Sequence, residues 1–255
     1  MIHPYYQDNL VTLYHGKQED ILPLLDIRAD CVLTDPPYGL TDLDWDVVPD
    51  LALMWQNMRR VSKPSAVMAL FCQQPFTTDL IVSNRKAWRY EWIWNKNRGT
   101  GFLWSKRKPL KAHEHIQIFI DEFNNSVYNP QMRKGEPYKK IQKNSPITHY
   151  HGVEKCTDVN NESGDRHPIS TLFYNNAAGN KSFHSTGKPI DLLEYIILTY
   201  TNTDNLILDP FIGSGSTAVA AAKIGRRCIG IEMREEALEV AVKRLSQQPL
   251  AMLNY

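Results

Sequence analysis

Apolar positions along this chain follow two patterns, short unbroken runs and longer stretches with a helical period. LVTLYHG (10–16) predicts a strand, EDILPLLDI a short helix, and ADCVLTD (29–35) a buried strand that stops at Asp-Pro-Pro. A short apolar run bounded by turn residues is the mark of a strand covered on both faces. Residues 50–62 predict a helix with Leu51, Met54, Met58 and Val61 on one face. AVMALF (66–71) reads as a further buried strand and PFTTDLIVSNRK as a helix opening at Pro75. RYEWIWNK (89–96), with Trp92 and Trp94 packing inward, and HIQIFI (115–120) read as two more strands. In the last quarter KPIDLLEYIILTYT (188–201) predicts an amphipathic helix with Pro189 near its start. NLILD (205–209) and RCIGIE (227–232) predict strands, each followed by a helix, GSTAVAAAKIG closed by Gly225 and REEALEVAVKRL (234–245). This alternation predicts an α/β fold, a doubly wound and mostly parallel sheet with helices on both faces. Residues 121–186 break the rhythm, rich in Asn, Lys, Ser, Gly and Pro with no sustained period. A stretch that long inside a compact domain is a functional insertion or a partly disordered one.

Composition changes this picture little. Of 255 residues, 42% are hydrophobic and 22% charged, enough for a sizeable globular core. No apolar run approaches the roughly 20 residues that span a bilayer, and MIHPYYQDNL lacks the pattern of a secretory signal. Cys31, Cys72, Cys156 and Cys228 are far apart, which excludes a disulfide scaffold or a cysteine-rich metal site; no metal is expected, and a reduced, cytoplasmic setting is. Charge matters more. From Arg85 to Lys155 there are 15 Lys/Arg against 6 Asp/Glu, although the whole chain carries only +1. A basic middle on an acidic frame suits a polyanion-binding surface, and a merely solvated face would look the same.

Three motifs carry chemistry. Asp35-Pro36-Pro37-Tyr38 ends the second strand. Two prolines fix φ and remove two N–H donors, leaving a stiff turn whose carbonyls only accept. With the Asp35 carboxylate and the flat face of Tyr38, this corner suits a planar group bearing NH₂, such as the exocyclic amine of a nucleobase; the plain alternative is a rigid strand-to-loop turn. The second motif is Asp209-Pro-Phe211-Ile-Gly213-Ser-Gly215-Ser-Thr217, between a strand and an Ala-rich helix. Its glycines allow a tight turn close to a ligand, and they also fit the dinucleotide fingerprint, so an NAD-dependent oxidoreductase is a rival. Asp209 weighs against a pyrophosphate and for a positively charged ligand. The third is Glu232, which ends the next strand where an acidic residue bonds ribose hydroxyls, in NAD or S-adenosylmethionine alike.

Together these residues resemble the amino-methylating DNA methyltransferases. LTDPPYG (33–39) is similar to the family's catalytic motif and DPFIGSGST (209–217) to its cofactor motif. The catalytic motif comes first, the order of the β group. HGKQEDILPLL (15–25), VSKPSAV (61–67), KAHEHIQIF (111–119) and FHSTGKPIDLLEYII (183–197) resemble further family segments. Lys17 stands where the family often has Asp, and Ser185 and Gly187 where it has Pro and Gln.

The resemblance implies a seven-stranded sheet of the S-adenosylmethionine-dependent type in a single domain, 1–255. A catalytic half, 1–120, is followed by a target-recognition insertion, 121–183, and a cofactor half, 184–255. It implies methyl transfer from S-adenosylmethionine to adenine N6 in DNA, with the base flipped out of the duplex. Asp35, Pro36, Pro37 and Tyr38 would hold the amine; Asp209, Phe211, Gly213, Gly215, Thr217, Glu232 and Lys188 would surround the cofactor. Cytosine N4 is the alternative target, and a non-catalytic DNA-binding module the alternative of another class. Cytosine C5 chemistry is disfavoured because no cysteine follows a proline. Lys106, Arg107, Lys108 and Lys111, beside Phe102 and Trp104, have the charge and the aromatics for double-stranded DNA. Relatives of this kind are often homodimers, and a cognate restriction enzyme is a candidate partner that the sequence does not decide.

Overall fold

The structure, a computed structural model, describes residues 2–140, 159–176 and 187–247. From the N-terminus come β1 (Tyr6–Gln7), β2 (Val11–His15), α1 (Gln18–Ile21), β3 (Ala29–Thr34), α2 (Leu51–Val61), β4 (Ser62–Cys72), α3 (Phe76–Ser83), β5 (Trp88–Thr100) and β6 (Lys111–Phe119). Four short strands follow, β7 (Arg133–Lys134), β8 (Tyr138–Lys140), β9 (Val159–Asn161) and β10 (Asp165–Arg166). The chain ends with β11 (Thr171–Phe173), α4 (Ile190–Tyr200), β12 (Leu206–Asp209), α5 (Ser216–Lys223), β13 (Arg227–Glu232) and α6 (Glu235–Ser246).

One sheet runs in the order β1-β2-β13-β12-β3-β4-β6-β5-β11. From β2 to β4 its strands are parallel, and β6 opposes both neighbours. Among the described residues it has nine strands rather than seven, because β1 and β11, too short to show a period, extend the two edges. Alternate side chains of each strand enter opposite layers. On β4, Val67, Ala69 and Phe71 join a core with Leu192, Ile196 and Tyr200 of α4, Val219 of α5 and Leu238 of α6. Met68, Leu70 and Cys72 join the other core, with Met54, Trp55 and Met58 of α2 and Phe76 and Leu80 of α3. Period-2 strands and helical apolar faces thus give a doubly wound α/β sheet. Asp50 caps α2 by accepting from Leu53 N at 3.0 Å, while Arg59 and Arg60 occupy its last turn, where positive charge suits the helix dipole.

The chain divides into two compact units, one from Met1–Asn129 and Ser170–Tyr255, the other Pro130–Ile169. The smaller unit contains two antiparallel pairs, β7 with β10 and β8 with β9. Gly135 N donates to Gly164 O at 2.9 Å, and the Arg166 guanidinium lies 4.4 Å from the Tyr138 ring centre. Within the span 121–183, β11 is an edge strand of the main sheet, and 141–158 and 177–183 lie outside the described residues. No described helix is long and apolar enough to cross a membrane.

Candidate active site

β3 and β12 are neighbours at the middle of the sheet, Cys31 beside Ile207 and Val32 beside Leu208. The chain leaves β3 for β4 on one side and β12 for β13 on the other, so a crevice opens beyond their C-terminal ends, the usual ligand position in such sheets. The Asp35 motif and the Asp209 motif both begin at that edge. They are joined directly, for Thr34 Oγ1 donates to Asp209 Oδ1 at 2.6 Å although the two lie 175 positions apart.

At the first motif Pro36 is buried, while Asp35, Pro37 and Tyr38 are half-buried. The Tyr38 hydroxyl donates to Asp35 Oδ1, and its ring stacks on Phe76 with centroids 5.5 Å apart. Burial, with the carboxylates of Asp35 and Glu114 nearby, holds the phenol well above its usual pKa, so it stays a donor. The loop beyond is organised by Asp46, a residue that sequence reasoning missed. Its carboxylate accepts from the amides of Tyr38, Gly39, Leu40 and Thr41 at 2.7–2.9 Å and from Thr41 Oγ1 at 2.8 Å. Burial would raise its pKa, but the Thr41 hydroxyl and these amides outweigh burial and lower it.

Lys188 reaches this corner. Its ammonium pairs with Asp35 Oδ2, while Gly187 before it faces Ser216 Oγ in the glycine turn. Burial would pull the ammonium down, yet Asp35 and Glu114 hold it above the ordinary lysine value. Glu114 on β6 and Lys96 on β5 also lie here; Glu114 falls in the KAHEHIQIF segment that resembles the family, but neither residue was assigned to the site from sequence.

At the second motif Asp209 is buried and its carboxylate is turned inward. It accepts from Thr34, from Phe211 N at 3.1 Å and from Thr217. Burial pushes its pKa up to about 6, against the pull of those three hydrogen bonds. Gly213 and Gly215 take left-handed φ of 51° and 81°. Glu232, at the end of β13, accepts from Gly213 N at 2.9 Å and from Arg234 N at 2.9 Å. Arg244 of α6 braces the turn by donating to Ser214 O at 2.7 Å. An amide bound to Glu232, between two buried carboxylates, is not free to cradle a phosphate. A ligand with positive charge and hydroxyl donors suits this set, and among the described residues nothing lies within 4 Å of where a Cβ on Gly213 would stand. The residues present therefore fit S-adenosylmethionine.

Lys106, Arg107, Lys108 and Lys111 fall on the β5–β6 hairpin. Gly101, with φ of 87°, opens a turn that Arg107 N closes on Trp104 O at 2.8 Å. Arg107 and Lys108 each lie 5.8 Å from the Trp104 ring centre. At the tip Leu103 is 96% exposed, a large apolar side chain fully in solvent beside basic ones. Trp92 and Trp94, by contrast, are core residues bonded to Tyr200 Oη at 2.6 Å and Tyr174 O at 2.9 Å. Cys31, Cys72 and Cys228 are buried free thiols, and Cys156 lies outside the described residues. Burial pushes Cys72, the thiol near Asp35, up to about 12 despite a Thr77 hydrogen bond, so it is no thiolate nucleophile. Among the described residues no group of His, Cys, Asp or Glu is placed to hold a metal ion.

A sheet with this switch point, acidic at the glycine turn and acceptor-rich at the neighbouring strand end, suits a cationic ligand beside a polar acceptor. Known proteins specify it further. Residues 29–243 match the N6_N4_Mtase family, described as DNA methylase. The Type II methyltransferase M2.LlaDCHI of Lactococcus lactis subsp. cremoris is 50% identical over 270 residues, covering 97% of this chain and 93% of that one. M.ScaI of Streptomyces caespitosus, also a Type II methyltransferase, is 26% identical over 96% of this chain and 84% of its own. Among solved structures the M1.HpyAVI–SAM complex has a TM-score of 0.64 at 22% identity, over 92% of this chain and 99% of that one. The PvuII cytosine-N4-specific DNA methyltransferase has 0.66 at 15%, over 95% and 89%; both are likenesses of fold. The chain belongs to the amino-methylating DNA methyltransferases, enzymes that use S-adenosylmethionine.

Proposed function

We propose that this protein methylates the exocyclic N6 of adenine in DNA, with the target base swung out of the helix. The observation that carries the reading is the junction of Thr34 with Asp209, which sets an acceptor corner beside a glycine turn suited to S-adenosylmethionine. When bound, S-adenosylmethionine supplies a methyl carbon made electrophilic by its sulfonium. Asp209, Phe211, Gly213, Gly215, Thr217 and Glu232 frame the cofactor, with Lys188 at the seam between cofactor and acceptor. Asp35 and the Pro36 carbonyl accept the two amine N–H bonds. The nitrogen lone pair, otherwise delocalised into the base, is thereby freed for attack. Pro36 and Pro37 offer no competing donors, and Tyr38 offers the base a flat face. As the nitrogen–methyl bond formed, the methyl–sulfur bond would break to leave a neutral thioether, and one amine proton would pass to solvent by way of Asp35, so no strong base is needed. Aspartate at the head of the motif supports adenine, since in the family a serine there more often accompanies cytosine.

The test is transfer of tritiated methyl from S-adenosylmethionine to DNA from a methylase-deficient host, then digestion to nucleosides. Label in N6-methyldeoxyadenosine is expected; label in N4-methyldeoxycytidine would move the target to cytosine, and no label on any DNA would sink the reading.

The hairpin is read as a DNA contact, its cations on phosphates and Leu103 and Phe102 against the bases. Replacing Lys106, Arg107 and Lys108 by Gln should lower the slope of log affinity against log salt by about 2–3, because three fewer counterions are released. An unchanged slope removes the hairpin from the DNA surface.

A further inference from the structure

Beneath the acceptor corner runs a row of alternating charges, Lys96 of β5, Glu114 of β6, Lys188 before α4 and Asp35 after β3. The Lys96 ammonium bonds Glu114 Oε1, which also accepts from Gln73 Nε2 at 2.9 Å. Lys188 Nζ stands 3.5 Å from Glu114 Oε2 and pairs with Asp35. The side chains of Lys96, Glu114 and Lys188 are only 8%, 7% and 12% exposed. Among the described residues Glu114 Oε2 is buried with no hydrogen-bond partner and faces the Lys188 ammonium at ion-pair range.

Burying charge is expensive, and apolar side chains of similar volume often pack at least as well. As cement between β5, β6 and α4 this row is a poor choice. Its position is informative, because it ends on the one carboxylate that meets the substrate amine. We propose that Glu114, held by Lys96, is a positioning residue that pins the Lys188 ammonium against Asp35 and so fixes the acceptor carboxylate before the base arrives. The proposal rests on Asp35 being the amine acceptor. The electrostatics agree with it. Burial would push Glu114 up, but Lys188 and Lys96 outweigh burial and lower its pKa, while Lys188 is held above the lysine value. Both groups therefore keep their charge at neutral pH, and the row stays intact.

The decisive variant is Glu114→Gln, which keeps the size, removes the charge and turns one of the two acceptor ends into an NH₂ donor. Single-turnover methyl transfer should fall by about 100-fold, the cost of a misplaced reacting group. Calorimetric affinity for S-adenosylmethionine and affinity for duplex DNA should stay within about threefold, as Glu114 itself touches neither in the proposed arrangement. Lys96→Met should reproduce the loss and Lys96→Arg should restore most of the rate, so a folding failure of Glu114→Gln leaves the question answerable. An unchanged single-turnover rate would overturn the proposal, as would an equal loss of turnover and cofactor affinity, which marks a structural or cofactor role. If instead Asp35→Ala transfers methyl as fast as the wild type, the acceptor assignment itself is wrong and the row has no acceptor to position.

Discussion

Asp35→Ala is expected to cut methyl transfer by about 10³-fold while leaving S-adenosylmethionine affinity within about threefold, read by single-turnover labelling and by calorimetry. The split follows from where the side chain sits. Asp35 joins Tyr38 and Lys188, whereas the glycine turn takes its bonds from Glu232, Arg244 and its own loop. Loss of Asp35 removes an acceptor needed most as the amine nitrogen gives up its conjugation, an interaction made in the transition state more than in the bound state. The fold should tolerate the change, since Lys188 keeps Glu114 as a partner. Asp35→Asn should also be strongly impaired, because its NH₂ end presents donors where the amine needs acceptors. If cofactor affinity and turnover fell together, Asp35 would belong to the cofactor site instead.

Much of this arrangement was legible along the chain. Buried parallel strands are nearly pure apolar runs, so β3, β12 and β13 stand out wherever they occur, and each of the two long motifs begins where such a run stops. Their meeting follows from topology, since adjacent parallel strands must end at one edge. The hairpin was only half visible. Residues 97–100 and 111–113 are polar because the hairpin is largely exposed there, and pairing rather than periodicity makes them strand. Lys96 and Glu114 were passed over for a related reason, as charged residues normally mark solvated faces and only the assembled sheet buries these. Asp46 carries no local signature either. Its role arises because the loop after Tyr38 folds back and brings its amides to a carboxylate. Among the described residues the short strands of 130–169 join neither hydrophobic core, and contacts such as Gly135 with Gly164 specify them instead.

The two glycines of the cofactor turn should respond differently to substitution, and the difference tests what the turn is for. Gly215 has φ of 81°, and a Cβ there would stand 2.7 Å from Ala241 Cβ and 3.1 Å from Ala241 Cα. Gly215→Val must strain its backbone and displace α6, at a cost of about 3 kcal/mol or more from conformation and overpacking together. A lower melting temperature and loss of S-adenosylmethionine binding are both expected. Gly213 has φ of 51° and no described residue near a Cβ, so Gly213→Ala meets only the left-handed backbone penalty of about 1–2 kcal/mol. Its methyl group would instead enter the open space beside Glu232, whose carboxylate already holds the Gly213 amide. The expected result is a folded, slightly less stable protein with cofactor affinity reduced at least tenfold, or about 1.4 kcal/mol. Normal affinity in Gly213→Ala would place the cofactor elsewhere in the crevice, because a turn that cradles the ligand cannot gain a side chain at its open position without cost.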